Sequence, residues 1–180
     1  MRTTRSVLMV AVLAATSPAM AQEAGSTEAE TPRVANGQQF GAWTVTCEAI
    51  AVGETACVLT QRLVRTQDNA FLAELLAFTS GDGSGTFIAA RVPNGVYFPS
   101  GFAFKPEDAD KRYEFTWQSC TRDLCEALLE IEPDDLVALA SAETGVIAGY
   151  RPSLAVDPLV FRFSLAGADE GLSALSQTVE

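Results

Sequence analysis

The residues of this chain best equipped for chemistry are four cysteines, Cys47, Cys57, Cys120 and Cys125, spaced C-x9-C and C-x4-C. Neither spacing is the C-x-x-C of a redox dithiol, and a zinc site built from four cysteines would show shorter knuckle spacings. An even number of cysteines in an exported chain reads as structural disulfides. The sequence has no His, which removes Ser-His-Asp and Cys-His catalysis as well as the commonest metal ligand. Gly81-Asp82-Gly83-Ser84-Gly85 is neither a G-x-S-x-G elbow nor a P-loop, since it lacks the lysine, and reads as a hairpin tip. Two acidic clusters, Glu107/Asp108/Asp110 and Glu132/Asp134/Asp135, could offer oxygens to calcium, which takes about six to eight from a shaped loop, but neither shows the EF-hand order. The first reads as a solvated loop and the second as a helix start. Among 23 Asp and Glu, a lectin-like carbohydrate-binding site built from acids and aromatics, or paired carboxylates acting as acid and base on a glycoside, remain the alternative. No metal, cofactor or catalytic residue is assigned.

Residues 1–21 read as an export signal. Arg2 and Arg5 precede an apolar run from Val7 to Ala15, and Ala19-Met20-Ala21 is an A-x-A cleavage site. The run is roughly half the ~20 residues needed to span a bilayer, and no later stretch is longer. Cleavage removes two basic residues and no acid, so the net charge moves from −11 to −13, with 10 Lys and Arg facing 23 Asp and Glu. Such a balance opposes nucleic-acid and anionic-membrane partners. Residues 22–39 are small, polar and acidic and read as a flexible leader. The remaining stretch, 40–180, suits one domain.

The elements that must position the cysteines are strands. Trp43, Val45 and Cys47 alternate with Thr44 and Thr46, and Cys57, Leu59 and Leu63 continue beyond Ala51-Val52-Gly53. A three-residue loop at 51–53, with Gly53 left-handed, pairs residues whose numbers sum to 104, which sets Cys47 opposite Cys57. A four-residue loop at 121–124 makes Cys120 and Cys125 the closing pair of a second hairpin, after the alternating Tyr113, Phe115 and Trp117. Further strands are expected over 71–78, 86–92, 101–104, 145–150 and 159–165. Helices are expected from Pro133 to about Ser141 and over 169–176. Many short strands with few helices point to a mainly β fold, a β-sandwich. Between the hairpins, Tyr97, Phe98, Phe102 and Phe104 crowd four aromatics into eight residues. They either pack into the core or form an exposed partner-binding patch.

In their order, these motifs resemble the invasion-associated locus B family of exported bacterial proteins. The resemblance rests on Phe40-Gly41-Ala42-Trp43-Thr44-Val45-Thr46-Cys47, Cys57-Val58-Leu59-Thr60-Gln61 and a P-x-G-V-x-x-P-x-G run from Pro93 to Gly101. The C-x4-C hairpin and the closing Phe163-Ser164-Leu165-Ala166-Gly167 complete it. What it implies is an immunoglobulin-like β-sandwich in the periplasm, associated with the outer membrane or secreted, without catalytic residues. It also implies a non-enzymatic binding role toward a protein or cell-envelope partner, in host-cell interaction or envelope integrity.

Overall fold

The computed structural model describes residues 34–142 and 144–177; the expected signal segment and the leader up to residue 33 lie outside them. Period-two alternation becomes ten strands: β1 (Gln39–Phe40), β2 (Trp43–Ala51), β3 (Glu54–Val64), β4 (Phe71–Thr79), β5 (Thr86–Pro93), β6 (Phe102–Pro106), β7 (Tyr113–Cys120), β8 (Leu124–Glu130), β9 (Val146–Tyr150) and β10 (Leu159–Phe163). Two short helices, α1 (Pro133–Ala140) and α2 (Ala168–Ser176), complete the fold. Pro133 opens α1 with Asp134 and Asp135 in its first turn, where acids face the positive end of the helix dipole.

All strand pairs are antiparallel, and they form one hydrogen-bonded series in the order β1-β2-β3-β4-β5-β8-β7-β6-β9-β10. The expected mainly β architecture is present; the two separately paired sheets of an immunoglobulin-like sandwich are not what the pairing shows. The physical reason lies in β7. Its first residues, Tyr113 to Phe115, pair with β6, while Thr116 to Cys120 pair with β8, with a register shift between Trp117 and Ser119. One strand thus serves both halves, and the sheet bends through it instead of splitting.

Bending gives the sheet an inside. Trp43, Val45, Leu59, Leu75, Ile88, Val92, Phe102, Phe104, Phe115, Ala127, Ala148 and Leu165 are buried there, joined by Leu136 and Leu139 of α1 and Leu172 and Leu175 of α2. Phe102 and Phe104 sit among Phe115, Tyr113, Tyr150, Phe161 and Phe163 at ring-centroid distances of 4.8 to 6.2 Å. Across this interior the Tyr150 hydroxyl of β9 donates to the Leu72 carbonyl of β4 at 3.2 Å. Burial pushes that phenol's pKa up, which keeps the donor protonated.

The two ends of the series meet. Between β1 and β2, the Ala42 N–H donates to the carbonyl of Ala166, just beyond β10, at 3.2 Å. Buried Gln61 of β3 donates through Nε2 to the carbonyls of Ala42 and Ser164, 3.1 Å each. The backbones come so close that a methyl group at Gly41 would overlap the Ala166 carbonyl, and one at Gly167 the Phe40 carbonyl. Both glycines also hold positive φ, at 55° and 86°.

Residues 34–39, the described part of the stretch expected as a leader, are hydrogen-bonded to β2. The N–H groups of Gly37 and Val45 donate to the carbonyls of Val45 and Gln38, and Asn36 Oδ1 accepts from the Cys47 N–H. These residues dock through backbone and amide groups and bury almost nothing, so no apolar periodicity marked them.

Gln61→Leu removes the side-chain donor that bridges the carbonyls of Ala42 and Ser164 while keeping a similar shape. We expect it to lower unfolding stability by about 1–2 kcal/mol in a denaturant titration, the cost of losing two hydrogen bonds to part-buried carbonyls.

Candidate functional site

The disulfides divide the molecule into a body and a projection. Cys47 is bonded to Cys57 and Cys120 to Cys125, each a directly opposed pair across its hairpin. Pairing from Thr44–Thr60 to Ala49–Thr55 follows the sum of 104, then shifts at Ile50 so that Ala51 faces Glu54. The loop is therefore the two residues Val52-Gly53 with a bulge at Ile50, in place of a three-residue loop. Body-side of the first disulfide, β2 and β3 are flanked by β1 and β4. Beyond it, every residue from Glu48 to Ala56 is exposed, and β4 pairs with β3 only as far as Leu59.

An isolated two-stranded ribbon is marginally stable in water. A bridge at its base fixes the register where no third strand can, and the chain-entropy gain for so short a loop is about 2–3 kcal/mol. What the ribbon presents is apolar. Ile50 is 66% exposed and Val52 fully so, between Ala49, Ala51 and Ala56, with Glu48 and Glu54 alongside. Neither glutamate has an ion-pair partner among the described residues.

The second disulfide closes a loop that holds the aromatic segment. Asn94 donates through Nδ2 to the carbonyls of Thr121 and Arg122, 3.0 Å each, and its N–H donates to that of Asp123. Pro99 lies in a single 3-10 turn, Phe98–Ser100, outside any strand. Of the two alternatives for the four aromatics, core packing holds for Phe102 and Phe104, so they form no four-ring patch. Phe102 and Phe104 are inward residues of β6 and are buried, because their alternation with Ala103 puts both on the core face. Tyr97 is half-buried, and Phe98 alone is exposed, at 52%, edge-on to Trp117 at 5.7 Å. Four contiguous exposed aromatics reduce to one.

One carboxylate of each acidic cluster is held in an ion pair. Glu107 takes the Arg162 guanidinium at 2.6 Å and Asp135 the Lys111 ammonium at 2.7 Å. Among the described residues no three His, Cys, Asp or Glu side chains converge to hold a metal ion. Gly81–Gly85 is the β4–β5 turn, where Asp82 is held at a pKa of about 2 by Ser80, then by the Ser84 N–H and hydroxyl. Hydrogen bonds from Arg162 and from the Ala70 N–H likewise lower the pKa of Glu107 and of Asp68.

On the outer face of the sheet's other half, a shallow depression of about 180 Å³ lies over Ala103, Ile147, Gly149 and Val160, with Lys105 and Arg112 at its rim. It is smaller than the roughly 300–1,000 Å³ of small-molecule sites. The apolar hairpin tip, unlike the aromatic segment, carries no ring to mark it in the sequence. Its signal is Ala49-Ile50-Ala51-Val52, an apolar run lying beyond the cysteine that ends the half-buried alternation.

The fold and its site define a class: a rolled antiparallel sheet, stapled at two hairpins, presenting an exposed ribbon. A family model described as "Invasion associated locus B (IalB) protein" matches residues 43–176, so the chain belongs to that family. Among solved structures, the crystal structure of invasion associated protein B from Bartonella henselae is similar, with a TM-score of 0.61 and 17% identity over 78% of this chain and 94% of that one. At that identity the likeness concerns the fold. No curated protein matches.

Two outcomes are expected. In Cys47→Ser/Cys57→Ser, amide exchange across residues 48–56 should lose its protection while β4 and β5 keep theirs, with stability down by about 2–3 kcal/mol. The lowered carboxylates favour the native state above their ordinary pKa range. The melting temperature should therefore fall as pH drops from about 4 toward 2, a slope that Asp82→Asn makes shallower.

Proposed function

We propose that this protein is an exported, non-enzymatic binding module of the cell envelope, located in the periplasm and associated with the outer membrane or secreted, and that it engages a protein partner through the β2–β3 hairpin tip. One observation carries the reading: an apolar ribbon, exposed along its whole length, held rigid by a disulfide at its base. Exposed apolar side chains on a preorganised element favour association, because burying them gains free energy while little order remains to be lost.

Supporting this reading, the depression over β6, β9 and β10 is too small for a metabolite-sized substrate. Glu107 and Asp135 are each engaged in an ion pair, and neither lines the depression. No helix among the described residues is long and apolar enough to cross a membrane. The net charge of −11 also disfavours an anionic bilayer surface as the partner. The family's name ties it to invasion, and a host-cell contact or an envelope-maintenance contact would use the same tip.

A photo-crosslinking amino acid at Val52, expressed in the native envelope, is expected to capture a discrete protein that the same group at Val137, an exposed residue of α1, does not capture. Equal, diffuse labelling from both positions would show that the tip has no partner.

A further inference from the structure

The hairpin tip and the outer-face depression are complementary to one another. The tip offers Ile50 and Val52 as a protruding apolar pair with Glu48 and Glu54 beside them. The depression offers an apolar floor with two cations on its rim. Its construction follows from register: Ala103 of β6 stands opposite Gly149 of β9, which stands opposite Val160 of β10. The side chain missing at Gly149 leaves a notch in that outward row. A Cβ there would meet the Leu159 carbonyl at 3.0 Å, so a larger residue would fill it. Ile147 and Lys105 form the neighbouring row, themselves directly paired.

Lys105 donates to the Ala109 carbonyl at 3.2 Å and has no carboxylate partner among the described residues. Arg112 reaches Glu114 only at 3.6 Å, between two largely exposed groups, a pairing of small worth. In a chain of net charge −11, two cations line this apolar notch, with the exposed Glu114 opposite Ala103 as the acid beside them. A volume near 180 Å³ suits a side chain better than a metabolite.

We propose that the hairpin tip of one molecule docks into the β6–β9–β10 depression of a second copy, with Val52 in the notch and Glu48 and Glu54 facing Lys105 and Arg112. This rests on the tip being a binding element, and it names the partner as the protein itself. The contact is heterologous, since each molecule keeps a free tip and a free depression. Repetition therefore closes a ring or extends a filament. The apolar insertion supplies affinity, and the rim charges supply register and encounter rate.

Sedimentation of the purified protein over a concentration series up to about millimolar tests this, with near-ultraviolet circular dichroism confirming that each variant is folded. The average mass should rise with concentration. Val52→Asp should shift that rise to at least about tenfold higher concentration, the loss expected for a buried valine. Glu48→Lys/Glu54→Lys and Lys105→Glu/Arg112→Glu should each weaken association several-fold, because each sets like charges against each other. Mixing the two charge variants should restore it, since the contact between a lysine-bearing tip and a glutamate-bearing rim is again of opposite sign. A protein that stays monomeric throughout, a rise indifferent to Val52→Asp, or a mixture that fails to recover would overturn the proposal. If the purified protein is monomeric while Val52 captures a different envelope protein, self-docking falls and the binding reading stands.

Discussion

An open sheet of ten strands has two edges, and this molecule depends on bringing them together. The junction is built from backbone: the Ala42 N–H on the Ala166 carbonyl, with one buried side chain, Gln61, donating to Ala42 and Ser164 at once. An amide buried in an apolar interior costs free energy unless its hydrogen bonds are made, so Gln61 favours only the rolled geometry that satisfies Nε2. Glycine at 41 and 167 is the steric counterpart, because any side chain there would force the two ends apart. With the ends joined, the concave face becomes an interior that α2 can fill with Leu172 and Leu175, and edge exposure, the common liability of sheets, is reduced.

Rolling also explains why the aromatics lie where they do. In the half formed by β6, β9 and β10, Phe102, Phe104, Tyr150, Phe161 and Phe163 converge on one side, and large rings fill a strongly curved interior with few side chains. The outward rows there are left with small residues such as Ala103 and Gly149. The depression on the outer face is thus a by-product of a core that puts its bulk inside.

Local features were legible in the sequence, and long-range ones were not. Alternation at Trp43-Val45-Cys47 and at Phe161-Phe163, and the helix start at Pro133, each depend on neighbours a few residues away. Both disulfide pairings followed from hairpin arithmetic because the partners are 10 and 5 residues apart. The placement of β8 between β5 and β7, and the division of β7 between two partners, depend on which strand bends, and a Trp117–Ser119 irregularity carries no compositional mark. At the aromatic segment the sequence left core packing and an exposed patch open together. The period of Phe102-Ala103-Phe104, that of a half-buried strand, is what assigns these two rings to the core.

Burial and exposure are segregated along a single hairpin. Residues up to Cys47 and from Cys57 onward join a multi-stranded sheet, while residues 48–56 contribute little to the core and are held by the bridge. A tip that carries no packing can change its side chains without loss of fold, since surface substitutions away from caps and cores cost little. The body, by contrast, is constrained at Trp43, Gln61, Gly41 and Gly167 by burial and close approach. Members of a family sharing this architecture could therefore keep the junction and the staples while presenting different tips to different partners. In this rolled, stapled scaffold the junction and the core carry the packing, and the residues beyond the first disulfide are left free of it.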